Sequence, residues 1–97
     1  KIFADNLKLR PGQHLHFELG RSVVGQCGSL ITKVLYIKNG VQKKFAIVDA
    51  GITELIRPAL YQALHNVHNI SSELPEEKYD VVGPICESAD FFRKDVM

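Results

Sequence analysis

Cysteine is scarce in this chain of 97 residues, and the two present, Cys27 and Cys86, stand far apart with no CxxC pairing. A structural zinc centre draws about four ligands from closely spaced pairs, so the pattern disfavours a metal site. It points instead to a reduced, cytoplasmic setting rather than a disulfide framework. Long apolar runs are missing too. No stretch approaches the ~18 residues of a membrane span, and no signal peptide is recognisable. Charge of one sign is also lacking: 12 Lys and Arg stand against 11 Asp and Glu. No basic run exceeds Lys43-Lys44, so the chain has no nucleic-acid footprint. Repeats and low-complexity tracts are absent. What remains is a 45% apolar fraction, enough for one modest globular core. The chain opens on Lys1 and stops at Met97, just after Arg93-Lys94-Asp95. Neither end reads as a natural terminus, and the expectation is a piece of a longer protein.

Patterning divides the chain into short elements. His14-Leu15-His16-Phe17-Glu18-Leu19 alternates, with Leu15, Phe17 and Leu19 on one face, and predicts a strand over 14–19. After Gly20, residues 21–28 are small and suit the first turns of a helix stopped by Gly28. Residues 29–38 are rich in β-branched and aromatic types and predict a strand, followed by Asn39-Gly40 and a return strand over 42–49. Asn-Gly suits a two-residue type I′ turn, in which both central residues take positive φ. Pro58 belongs in the first turn of a helix, so a helix should start there with Arg57 extended before it. Beyond Tyr61, Leu64, Val67 and Ile70 recur every three residues, which favours helix and leaves strand open. Residues 71–78 read as an acidic loop. Tyr79–Val82 reads as a short strand ended by Gly83-Pro84, which leaves Cys86-Glu87 on a loop.

Three constellations carry candidate chemistry. At Glu18-Leu19-Gly20-Arg21, a strand end, a glycine and a helix start leave backbone N–H groups free for an anion; the alternative is a plain turn with a surface ion pair. In Arg57-Pro58-Ala59-Leu60-Tyr61, residues four apart share a helix face. A guanidinium and a phenol aimed together suit a carboxylate; the alternative is an exposed Arg beside a half-buried Tyr. In Cys86-Glu87, a thiol tuned by its surroundings can act as acid or nucleophile, and the carboxylate can bind a cation. The alternative there is a small buried cysteine next to a solvated acid. Asp49 most simply ends its strand. His65 and His68 have a spacing that can ligate a metal, but no acidic or cysteine partner accompanies them.

In their order along the chain, ELGR (18–21), VDAG (48–51), RPALY (57–61) and VVGPICESAD (81–90) resemble the C-terminal portion of the diaminopimelate decarboxylase family. That family sits among the alanine-racemase-like, fold type III pyridoxal-phosphate enzymes, alongside ornithine and arginine decarboxylases. The likeness runs from about Leu15 to Asp95. GPICES is its most specific element, and RPALY points to the diaminopimelate branch. Where the family usually carries proline, this chain has Leu19.

The resemblance implies a mainly β fold: the C-terminal β-barrel or sandwich-like domain of such an enzyme, with short helices. Residues 1–28 would be the last strand and helix of the cofactor-binding α/β barrel. Residues 29–97 would be a truncated C-terminal β domain, with a strand after Tyr61. By the same resemblance, Glu18 would face the pyridine nitrogen of pyridoxal 5′-phosphate. Gly20 and Arg21 would lie at its phosphate, with Arg21 also reaching substrate. Arg57 and Tyr61 would hold the carboxylate at the far end of meso-diaminopimelate. Cys86 and Glu87 would enter the active site of the neighbouring subunit of a homodimer, Glu87 meeting the far ammonium and Cys86 placing a proton as the catalytic residue.

The implied reaction is decarboxylation of meso-2,6-diaminopimelate to L-lysine and CO2, the last step of lysine biosynthesis. The lysine that carries the cofactor and the glycine-rich phosphate loop are not in these residues, so this piece alone is expected to be inactive. The substrate choice has an electrostatic basis: diaminopimelate is zwitterionic at both ends, and Arg57 with Glu87 matches the far one. Ornithine would leave the guanidinium unpaired, at a cost on the order of several kcal/mol. The alternatives are a related decarboxylase of ornithine, arginine or carboxynorspermidine, and a non-catalytic β-rich interaction module.

Overall fold

The computed structural model describes residues 2–97. It comprises two compact units, one ending at Leu30 and the other running Ile31–Met97. The second is a four-stranded mixed sheet in the order β1-β2-β3-β4, built from β1 (Val34–Asn39), β2 (Lys44–Val48), β3 (Tyr79–Val82) and β4 (Phe91–Val96). The expected mainly β character with short helices is therefore observed. β1 and β2 pair antiparallel, β2 and β3 parallel, and β3 and β4 antiparallel. The parallel pair requires a crossover, which residues 49–78 supply. Ala46, Val48, Ala50, Val81 and Phe92 form the core, with Leu55, Val67, Tyr79 and Val96 packed against it. β4 escaped the pattern reading because Phe91 and Phe92 are adjacent and three charged residues follow, which breaks the period of two.

The hairpin expected at Asn39-Gly40 is present with a different turn. Asn39 pairs with Lys44 as the last rung of the ladder, and the Gly40 N–H donates to Lys43 O at 2.8 Å. Val41 and Gln42 sit at the tip, and neither Asn39 nor Gly40 takes positive φ, so no type I′ turn forms there. The register is fixed at the other end of the hairpin. The Thr32 hydroxyl and the Lys33 N–H (2.8 Å) both donate to Asp49 Oδ1, and the Asp49 N–H donates to Lys33 O at 3.0 Å. With Lys33 tied opposite Asp49 and a bulge between Val34 and Tyr36 shifting the register by one residue, the tip falls beyond the Asn-Gly pair. The same clasp occupies Thr32 and Lys33, so the strand expected from residue 29 begins only at Val34. The return strand is likewise shorter than 42–49.

The crossover holds α3 (Arg57–Tyr61). Arg57 is already helical, not extended: the Glu54 and Leu55 N–H groups donate to Gly51 O at 3.0 and 3.1 Å, so the chain arrives wound. The Leu60 N–H then bonds Ile56 O at 2.9 Å. Buried Pro58 stands near the helix start, where its missing N–H costs nothing. Gln62 takes a left-handed φ of 53°, and the Ala63 N–H returns to Arg57 O at 3.3 Å, so the helix closes on a left-handed residue with a turn wider than a Schellman motif. The segment after Tyr61 is neither the helix favoured by periodicity nor a paired strand. Its burial nonetheless alternates as a strand's does: Ala63, His65 and Val67 are half-buried, and Gln62, Leu64, Asn66 and His68 are exposed. His65 and His68 therefore do not share a face.

In the first unit, α1 spans Ile2–Asn6, and a turn at Pro11-Gly12 places Gly12 at φ 82°, as the third residue of a type II turn requires. The strand expected over 14–19 does not form. α2 (Arg21–Val24) follows, ending at Gly25 rather than at Gly28. Among the described residues, no helix is long and apolar enough to cross a membrane.

Candidate functional site

The Arg57–Tyr61 pair is built by α3 itself. Residues four apart on a helix lie one above the other, and the Arg57 guanidinium carbon sits 5.3 Å from the Tyr61 ring centroid. Such stacking contributes about 0.5–1 kcal/mol at exposed sites. The contact brings guanidinium and phenol together on one side of the helix, where both can donate to a carboxylate. Tyr61 is exposed and Arg57 half-buried, so the pair is presented outward as a fork.

GPICESAD is the connection between β3 and β4. The Gly83 N–H donates to Asp90 O at 3.0 Å, closing the loop at its base, and the Asp90 N–H donates to Glu87 O at 3.0 Å. Cys86 is a free, exposed thiol, which replaces the picture of a buried cysteine. Glu87 Oε1 accepts the Ala89 N–H at 3.3 Å and the Ser88 hydroxyl at 3.1 Å. The Ala89 amide first, then the Ser88 hydroxyl, hold this carboxyl below the ordinary glutamate range. Glu87 is thus an anion at neutral pH, on a loop that carries a thiol beside it.

Asp90 was legible in the sequence only as part of this stretch. It is 3% exposed, and its carboxylate accepts the Ile52 N–H at 2.8 Å and the Ile85 N–H at 2.7 Å. It joins the loop to the turn that leads into α3. A buried acid without a cation is unreadable from one sequence, although the two glycines that make room for it, Gly51 and Gly83, are a signal in hindsight.

Glu18, Gly20 and Arg21 lie in the first unit. Gly20 caps α2, its carbonyl accepting the Val23 and Val24 N–H groups at 3.0 and 3.3 Å. Arg21 and Ser22, as first-turn residues, have no carbonyl within the helix for their N–H groups. Glu18 and Arg21 are exposed. Among the described residues, ion pairs join Lys43 to Asp80 and Lys44 to Glu77, not Glu18 to Arg21. Those two pairs line a groove with Lys78, Tyr79 and Asp95. It contains none of the candidate residues, and four of its charges already neutralise one another.

Comparison with known proteins places the chain in a family. Residues 21–97 match the family described as pyridoxal-dependent decarboxylase, C-terminal sheet domain. The chain is 71% identical over 94 residues to the diaminopimelate decarboxylase of Bacteroides thetaiotaomicron, covering 97% of this chain and 24% of that protein. It is 51% identical over 82 residues to that of Pseudomonas aeruginosa, covering 84% and 20%. Among solved structures, it is similar to diaminopimelate decarboxylase from Helicobacter pylori complexed with L-lysine, with a TM-score of 0.59 and 46% identity over 67% of this chain and 16% of that one. The enzyme from M. jannaschii in co-complex with L-lysine gives a TM-score of 0.64 at 35% identity, over 67% and 15%. The chain thus spans about a fifth to a quarter of the length of these curated relatives. With its sheet, its β3–β4 loop and its α3 fork all inside the matched span, the chain belongs to the pyridoxal-dependent decarboxylases, through their C-terminal sheet domain.

Proposed function

We propose that this chain is the C-terminal part of a pyridoxal-phosphate-dependent diaminopimelate decarboxylase, acting in the cytoplasm as a homodimer with shared active sites. In this reading residues 1–28 finish the cofactor-binding barrel and residues 29–97 belong to the β domain. The observation that carries the proposal is the Arg57 guanidinium held over Tyr61, a ready grip for a second carboxylate that ornithine and arginine lack. Lysine bound to the Helicobacter pylori relative fits as the product of the same reaction.

The residues present suit the cofactor. At Gly20 a Cβ would meet nothing within 4 Å, which leaves room for a phosphate beside the free N–H groups of Arg21 and Ser22. The Glu18 carboxylate suits a protonated pyridine nitrogen. When bound, pyridoxal phosphate supplies the sink for the electrons left behind as CO2 departs. The chain's own residues do the rest. Arg57 donates to the far carboxylate, and the Tyr61 hydroxyl adds a further bond. Glu87 of one subunit pairs with the far ammonium in the other subunit's site, and Arg21 reaches the substrate from beside the phosphate. The Cys86 thiol, carried on the same loop, gives its proton to the carbon that lost its carboxylate.

The test uses the full-length enzyme with meso-diaminopimelate, ornithine, arginine and carboxynorspermidine. Diaminopimelate should be preferred, and Arg57→Ala should lower kcat/KM for it by about 100-fold or more, as two lost charge-assisted hydrogen bonds require. Full activity in that variant, or a preference for ornithine, would overturn the reading.

A further inference from the structure

The Asp90 carboxylate has no part in the chemistry above, yet the fold is arranged around it. It is buried, and it accepts backbone N–H groups from two separate segments, Ile52 on Oδ1 and Ile85 on Oδ2. Its own main chain bonds Gly83 and Glu87, spanning the loop. Space for it comes from two glycines. A Cβ on Gly83 would lie 2.6 Å from Asp90 Cγ, and one on Gly51 would lie 3.2 Å from Oδ1. Neither glycine takes a positive φ, so room for the carboxylate, not backbone freedom, is what they provide. An amide is no substitute, because its NH2 would face one of the two N–H donors.

We propose that Asp90 is a positioning residue for substrate recognition, one carboxylate that fixes both the Cys86-Glu87 loop and the turn leading to Arg57. This rests on the reading of those residues as substrate contacts. Ile85 immediately precedes Cys86, and Ile52 lies in the turn whose Gly51 carbonyl winds the chain into α3. In a dimer with shared sites, the two clamped segments serve different active sites, so each Asp90 aligns one half of each. Losing the clamp weakens the grip on the far end of the substrate more than it slows the bound complex.

The experiment is Asp90→Asn in the full-length enzyme, followed by steady-state kinetics and by hydrogen exchange of peptides covering 51–56 and 84–89. The expected result is a KM for diaminopimelate raised about tenfold with a smaller change in kcat, and faster exchange in both segments together. An unchanged KM, or a raised KM with both segments exchanging as before, overturns the proposal. Gly83→Ala keeps Asp90 but displaces its carboxylate, and should give the same paired signature should the Asn variant fail to fold. An enzyme that leaves diaminopimelate untouched ends the substrate reading alone. Exchange still decides the clamp: faster in both segments upholds it, and unchanged in both variants overturns it.

Discussion

A single buried acid shows how much of this sheet depends on individual side chains. Asp80 on β3 is 6% exposed, and it accepts the Lys43 ammonium at 3.0 Å and the Asp95 N–H at 2.9 Å. Burial by itself would push its pKa up; the Asp95 amide and the Lys43 ammonium outweigh that and hold it below the ordinary aspartate value. Asp95 takes a left-handed φ of 54°, a conformation a non-glycine residue keeps only when something fixes it; the bond to Asp80 does so. A folded pKa below the unfolded one means that the carboxylate stabilises the fold above about pH 4, and that this contribution fades as pH falls through the folded value. Asp80→Ala should therefore cost about 1–3 kcal/mol at pH 7, with Lys43 and the Asp95 amide left unpaired, and less near pH 3. Chemical denaturation at both pH values measures this, and an equal cost at each would contradict it.

At the scale of elements, the hairpin is held by its open end. Asp49 receives Thr32 and Lys33 at the root of β1, while β1 itself is exposed along its whole length. The Thr32 hydroxyl first, then the Lys33 amide, lower the Asp49 pKa, so the clasp holds above about pH 4 and loosens in acid. Asp49→Ala should speed amide exchange across residues 33–39 at neutral pH while leaving β3 and β4 protected; uniform exchange across the sheet would argue against it. This clasp also explains what the sequence could and could not reveal. Residue type was enough for the hairpin, for Tyr79–Val82 and for a loop at Cys86-Glu87, because those depend on local alternation and on Gly-Pro punctuation. The turn position was not legible, since it is set by Asp49, which lies beyond the far end of β2. The segment after Tyr61 misled because Leu64, Val67 and Ile70 mimic a helical period, while the observed period of two comes from packing Val67 on the core. The Arg57–Tyr61 spacing suggested a shared face, but placing Arg57 inside the helix, like the Asp90 clamp, needed the fold.

For the whole molecule, the proposed reading is that these residues supply parts of a site completed by the rest of a longer protein. In the unit ending at Leu30, every side chain whose burial is described is exposed, including Leu15, Phe17 and Leu19. Side chains so exposed gain little from burial, and the proposed barrel is what would cover them. In the proposed function the sheet unit contributes two halves of a substrate grip, the Arg57–Tyr61 fork on α3 and the Glu87 loop between β3 and β4. The account assigns them to different active sites of a two-fold dimer. Mixing two strongly impaired full-length variants, Arg57→Ala and Glu87→Ala, under conditions of subunit exchange tests this most directly. Mixed dimers then hold one site with both intact residues, and recovery to about a quarter of wild-type activity is predicted for random pairing. No recovery above the separate variants would mean that both residues serve the same site, and would contradict the account.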